Sequence, residues 1–502
     1  MGRLVRLIAV LLLELAIAGC AQDAQFTAPT AMCNFKTRPL AVQFPSDGSV
    51  TGITAATSLP RSGLPQLAER ASAADKPAST FAAGTVARSM DEALERAPNR
   101  GRGLGGQTAF LFLSGGSLHG AFGAGFIDQW RRTVEAGGHG FPEFSLVTGI
   151  STGAILSSFA FSGETMNAVE GYSITSEDEL LRPHIRPSAS GELGLNAGVA
   201  LARKGAIADL SPLHDHLDKF LTHKVMARVA DGASRGRMLL VGAVDVDTGE
   251  AVAFDLGDMA MRYIQAQPVP PADGQPMSAA ARHAKDCYIA AIVASSSAPI
   301  AAAPVFIDNR MYIDGGARFG LFGAEINAIV EERRTRAAAQ RARGLRGPDV
   351  TPVPVTYAII NGTQELAALG HCPKVDDSLC TATEPTGGTI GAHDKWSFID
   401  LALRSESILT NQVYRLSVQH VGAQAGGCEG CFNIVRIEPD AQTHVFTLAD
   451  PVLGSGTKTC GEWHEEDRRL ANPVQFFPRY MRCLIDYGRT RPEVGVWAAQ
   501  VQ

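Results

Sequence analysis

The chain has 502 residues, 45% hydrophobic and 19% charged, an ordinary globular balance that excludes wholesale disorder, a coiled coil and a collagen-like chain. That length suits two or three domain-sized units, or one large domain with insertions. Lys plus Arg number 45 against 51 Asp plus Glu, and the net charge of −6 argues against a dedicated nucleic-acid binder, which needs a net basic face. A single long apolar run excludes a multi-pass membrane protein.

That run is the N-terminus. Arg3 and Arg6 precede Leu7–Ile17, eleven residues interrupted by Glu14. This is too short for a bilayer core of ~30 Å but suits a secretory signal. The segment ends Ile17-Ala18-Gly19-Cys20, which resembles the lipobox of bacterial lipoproteins. The alternative is an ordinary signal cut near Ala18. The resemblance implies that residues 1–19 are removed, that Cys20 is lipidated, and that two or more acyl chains anchor the exported protein durably. Ala21 stands where many inner-membrane lipoproteins carry Asp, which points to the outer membrane, its face left open. Setting Cys20 aside leaves eight of the nine cysteines. An oxidising compartment allows them to pair, with Cys372–Cys380 and Cys460–Cys483 expected as local loops. Cys428-Glu429-Gly430-Cys431 lacks a partner motif, so no metal site is expected.

Residues 20–106 are rich in Ala, Ser, Thr, Pro and Gly and read as a tether, with one short amphipathic helix over Val86–Ala97. Thr108–Leu113 is a continuous apolar run, expected of a strand buried on both faces. A Gly-rich turn and a helix to about Glu135 follow. Phe144–Thr148 predicts a strand and Ala154–Phe161 a helix. Residues 163–232 form a charged helical insertion. Met238–Val246 and Glu250–Asp255 predict a hairpin; Val305–Ile307 and Met311–Ile313 flank a turn at Asp308-Asn309. Glu331–Arg343 is a basic helix, Val353–Ile360 a strand, and Ser397–Gln419 has apolar residues at helical spacing. Strands alternating with helices imply an α/β sheet covered on both faces. The expected division is a catalytic unit at 107–365 and a Cys-bearing C-terminal extension at 366–502 packed on it.

Three segments carry chemistry. Ser114-Gly115-Gly116-Ser117-Leu118-His119-Gly120 lies between a strand and a helix, where backbone N–H groups can turn toward an anion. It lacks the Lys-Ser/Thr ending of a phosphate-binding loop. Gly149-Ile150-Ser151-Thr152-Gly153 has the spacing of a nucleophile elbow, a sharp strand-to-helix turn that presents a serine hydroxyl. Asp314-Gly315-Gly316 follows a strand and can face a ligand crevice, or simply form a turn.

In this order, these blocks resemble the patatin-like phospholipases, lipid acyl hydrolases with a Ser–Asp dyad. The resemblance covers about Thr108 to Gly362. Its Gly-rich block matches Ser114–Gly125, its nucleophile motif Gly149–Gly153 and its Asp-Gly-Gly motif Asp314–Gly316. A further block is similar to Ala294–Pro299. The resemblance implies a three-layer sandwich with a central, mostly parallel sheet. It implies Ser151 as nucleophile, Asp314 as general base, and an oxyanion hole from Gly115, Gly116 and Ser117, with Gly149 and Gly153 shaping the elbow. No cofactor, metal or protein partner is implied, and the substrate is a membrane lipid or another acyl ester. Two positions depart from the family. Ser117 replaces the third loop glycine, and His119 replaces the usual Arg or Lys. His119 either helps stabilise an oxyanion through its charge or packs at the helix start. Two alternatives stay open. One is a Ser–His–Asp esterase drawing on His371, His393 or His444. The other is a weakly catalytic surface lipoprotein that acts by binding.

Overall fold

The computed structural model describes residues 31–35, 37–39, 109–135, 141–185, 205–272, 275–322, 355–362, 398–425 and 432–492. The helices foreseen at Val86–Ala97 and Glu331–Arg343, the signal segment with Cys20, and Cys372, Cys380, Cys428 and Cys431 lie outside them.

In chain order the elements begin with strands β1 (Thr37–Pro39) and β2 (Ala109–Leu113), helix α1 (Gly120–Glu135), β3 (Leu146–Ile150) and α2 (Thr152–Ser162). The insertion holds α3 (Thr165–Tyr172), a two-residue pair β4 (Arg182–Pro183) and β5 (Ala208–Asp209), α4 (Ser211–Phe220) and α5 (His223–Ser234). Then come β6 (Met238–Asp245), β7 (Glu250–Asp255), α6 (Leu256–Ala266), α7 (Ala279–Ser295), β8 (Val305–Ile307), β9 (Arg310–Asp314) and β10 (Val355–Ile360). The rest comprises α8 (Phe398–Ala425), β11 (Phe432–Arg436), β12 (Val445–Asp450), β13 (Gly454–Thr459), α9 (Cys460–Ala471) and α10 (Pro478–Thr490).

The main sheet runs β1-β7-β6-β3-β2-β10-β11, with β9 on β6 and β8 on β9. From β6 to β11 neighbouring strands are parallel; β7, β1, β9 and β8 join antiparallel. The apolar run of β2 buries on both faces, as a covered parallel strand must. Leu111 and Leu113 face the larger core with α1, α2 and α7. Phe110 and Phe112 face a second core closed by Val418 and Val421 of α8. Helices on both sides of a mostly parallel sheet make the expected three layers.

Two short links follow from local chemistry. Asp308 and Asn309 take φ of 51° and 62°, the left-handed pair of a tight hairpin turn, which Asn and Asp tolerate better than most residues. The Asp308 carboxylate also accepts the N–H groups of Cys33 at 2.6 Å, Asn34 at 2.8 Å and Phe35 at 2.8 Å.

Part of the stretch expected to be a tether is therefore structured. Residues 31–35 lie against this turn, β1 forms the sheet edge, where Pro39 is tolerated, and Cys33 is disulfide-bonded to Cys287. The C-terminal region also differs from a simple appendage. β11, which the sequence did not signal, extends the main sheet parallel to β10. α10 crosses α1 at close range: a Cβ at Gly125 would lie 2.8 Å from the Ile485 carbonyl carbon, and one at Gly488 would lie 3.0 Å from the Phe126 nitrogen. The Cys460–Cys483 disulfide ties α9 to α10.

Candidate active site

The site is built at the end of β3. All five β3 residues are buried, and at the strand's C-terminal end the chain turns at once into α2. Ser151 makes that turn with φ 55° and ψ −124°. A non-glycine residue there stores about 1–3 kcal/mol of strain and persists only where its surroundings hold it. Its N–H donates to Ser295 Oγ at 3.0 Å, and that hydroxyl donates to the Gly242 carbonyl at 2.5 Å. Gly149 and Gly153 are required by crowding. A Cβ at Gly149 would lie 2.7 Å from the Ala154 Cα, and one at Gly153 would lie 2.6 Å from the Leu113 carbonyl carbon. These neighbours are backbone and cannot swing away.

Asp314 arrives from the opposite direction on the same edge of β6. β3 runs parallel to β6 and ends with Ile150 opposite Gly242. β9 runs antiparallel and ends with Asp314 opposite Ala243. The C-terminal ends of β3 and β9 thus abut, and Ser151 and Asp314 meet at the junction. Residues 295–297 touch both: Ser295 holds the Ser151 N–H, and the Ser297 carbonyl accepts the Asp314 N–H at 2.9 Å. Asp314 is 6% exposed, and its Oδ1 accepts the Gly316 N–H at 2.7 Å, which fixes the carboxylate's orientation.

The Gly-rich loop flanks this junction. A Cβ at Gly115 would stand 3.0 Å from Ser151 Cβ. Asn361, at the end of β10, pins the loop: its N–H donates to Ser114 Oγ at 3.0 Å and its Nδ2 to the Ser114 carbonyl at 2.7 Å. Gly116 and Ser117 have φ of 150° and 51°, so Ser117 occupies a conformation that glycine adopts without strain. Its hydroxyl accepts a hydrogen bond from Gln475 Nε2 at 2.6 Å. His119 Nδ1 donates to the Gly116 carbonyl at 3.1 Å. Burial lowers the imidazole below its usual range, outweighing that carbonyl, so the ring is neutral at pH 7. His119 packs at the helix start and places no fixed positive charge in the loop.

Gly115, Gly116, Ser117, Ser151, Asp314 and Gly316 line a cavity of about 440 Å³. Its walls are mostly apolar, with Ile155 and Phe159 from α2 and Leu213, Leu217 and Phe220 from α4. The helical insertion therefore shapes the pocket. Gln475 and Phe476 form another part of the wall, held by Glu177. This carboxylate, 5% exposed, accepts the N–H groups of Val474, Gln475 and Phe476 at 3.0, 2.5 and 2.9 Å.

Sequence reasoning missed Asn361, Glu177, Gln475 and Tyr414, whose roles depend on distant segments. It marked Ala294–Pro299 without finding that this block links the segments of Ser151 and Asp314. Of the histidines weighed for a triad, His444 is bonded through Nε2 to Asp486 at 2.9 Å and does not line the cavity; His371 and His393 lie outside the described residues. Among the described residues no group of three or more His, Cys, Asp or Glu could hold a metal ion, and no helix is long and apolar enough to cross a membrane.

The family model described as "Patatin-like phospholipase" matches residues 111–322. No curated protein matches the chain. Among solved structures, VipD from Legionella pneumophila is similar at 11% identity with a TM-score of 0.23, over 52% of this chain and 53% of that one. The chain thus spans about half of that protein's length, and so slight a likeness carries no mechanistic weight.

Proposed function

We propose that the patatin-like phospholipase domain at residues 111–322 is a lipid acyl hydrolase working through Ser151 and Asp314. The observation that carries this is the meeting of β3 and β9 on one edge of β6, with residues 295–297 hydrogen-bonded to both reactive segments. Ser151 Oγ attacks the acyl carbonyl and Asp314 takes its proton. Asp314 returns that proton to the departing alcohol, leaving an acyl-enzyme. Water, deprotonated by the same carboxylate, then attacks the acyl carbonyl; the acyl–Oγ bond breaks, the proton returns to Ser151 Oγ and the acid is released. The N–H groups of Gly115, Gly116 and Ser117 are the candidate donors to the tetrahedral oxyanion. The start of α2, directly after Ser151, adds partial positive charge. The apolar wall suits an acyl chain, at about 0.8 kcal/mol per buried methylene.

Ser151→Ala is expected to abolish hydrolysis of a p-nitrophenyl acyl ester and covalent labelling by a fluorophosphonate. Asp314→Asn should lower kcat by ~10²–10⁴. Ester turnover retained by Ser151→Ala would refute the assignment. We also propose that the protein is exported and lipidated at Cys20, then anchored in the outer membrane. The two described disulfides support an oxidising compartment.

A further inference from the structure

A phenol from outside residues 111–322 stands at the same junction. Tyr414 lies on α8 and lines the cavity. One turn later, Ser417 Oγ accepts the Gly320 N–H at 2.9 Å, which ties the helix to the loop after Asp314. Three glycines from two distant segments clear room for this ring. A Cβ at Gly115 would overlap the Tyr414 hydroxyl; one at Gly316 would lie 2.9 Å from it; one at Gly320 would lie 2.8 Å from Cδ1. The same positions report the other neighbours: the Gly115 Cβ would be 3.0 Å from Ser151 Cβ, and the Gly316 Cβ 3.1 Å from Asp314 Oδ1. The hydroxyl thus stands in the neighbourhood of both the serine and the carboxylate, against the first loop glycine.

In the Gly-rich loop, His119 donates to the Gly116 carbonyl, and burial holds its imidazole below the usual range. We propose that Tyr414 is a catalytic residue. Its phenolic O–H donates a hydrogen bond to the oxyanion formed on the acyl group attached to Ser151, and so supplements the loop amides. A phenol is un-ionised at neutral pH and keeps a hydrogen to donate. This rests on the hydrolase function proposed above.

Tyr414→Phe in the full-length protein keeps the ring among its three glycines and removes only the donor. Loss of one oxyanion donor lowers turnover by ~10²–10³. The expected result is a fall of that order in kcat for a short p-nitrophenyl ester and in the rate of fluorophosphonate labelling of Ser151, with KM and melting temperature near wild type. Tyr414→Ala, which removes the ring as well, is the second variant. Wild-type kcat in Tyr414→Phe, with loss only in Tyr414→Ala, would reduce Tyr414 to packing and overturn the proposal. So would a change in KM alone. Wild-type protein that neither turns over ester nor labels at Ser151 would overturn the hydrolase function itself; an active wild type with an equally active Tyr414→Phe overturns only the role of Tyr414.

Discussion

Ser151 combines two properties that oppose each other. It is the residue proposed to react, and its backbone sits in a region that side chains disfavour. The surroundings enforce that conformation through Ser295, whose hydroxyl is fully buried and accepts the Ser151 N–H. Glycine adopts such dihedrals without strain but has more backbone entropy to lose on folding, about 0.5–1 kcal/mol. Against a strain of ~1–3 kcal/mol, the balance favours glycine. Ser151→Gly is therefore expected to be inactive yet more stable than wild type by about 1 kcal/mol. Ser151→Ala, which keeps a Cβ, should be inactive without that gain. Urea midpoints of the three proteins check this; equal midpoints for the Gly and Ala variants would remove strain from the account of the elbow.

At the scale of elements, the pocket is assembled from pieces far apart in the chain. The insertion supplies α4 as an apolar wall, and the segment before α10 supplies Gln475 and Phe476. Glu177 joins these two contributions by accepting three consecutive backbone N–H groups. Leaving buried donors unpaired costs about 1–3 kcal/mol each. Glu177→Ala is thus expected to raise amide hydrogen exchange at residues 474–476. It should also raise KM for a long-chain ester more than for an acetate ester, because the wall loosens while Ser151 and Asp314 keep their strand positions. Unchanged exchange at these amides would show that Glu177 does not hold the segment.

Across the whole molecule, a long-range tie fastens the segment at residues 31–35 to α7. Cys33–Cys287 spans 254 residues, and a crosslink of this kind typically contributes about 2–4 kcal/mol by restricting the unfolded chain. It holds residues 31–35 beside α7 and β8, and the lipid anchor proposed at Cys20 can be tested directly. Incorporation of labelled palmitate by the wild type, and its loss in Cys20→Ala, is the expected outcome. Equal incorporation in both proteins would place the lipid elsewhere or dismiss the anchor.

Much of this molecule is written locally. The unbroken apolar run of β2 requires burial on both faces. The glycines at 149 and 153 are spaced for a strand-to-helix turn whatever surrounds it, and Asp308-Asn309 favours a tight hairpin through its own dihedral preferences. Such features depend on neighbours a few residues away, so one sequence suffices to locate them. The register on β6 is different. It sets Ile150 and Asp314 on adjacent positions of one strand edge, and no local propensity specifies which residues of three separated strands pair. The same holds for Ser295 beneath the elbow, Tyr414 among its three glycines, and Gln475 on Ser117. Each is an ordinary residue in its own segment and gains its role only when packing brings another segment to it.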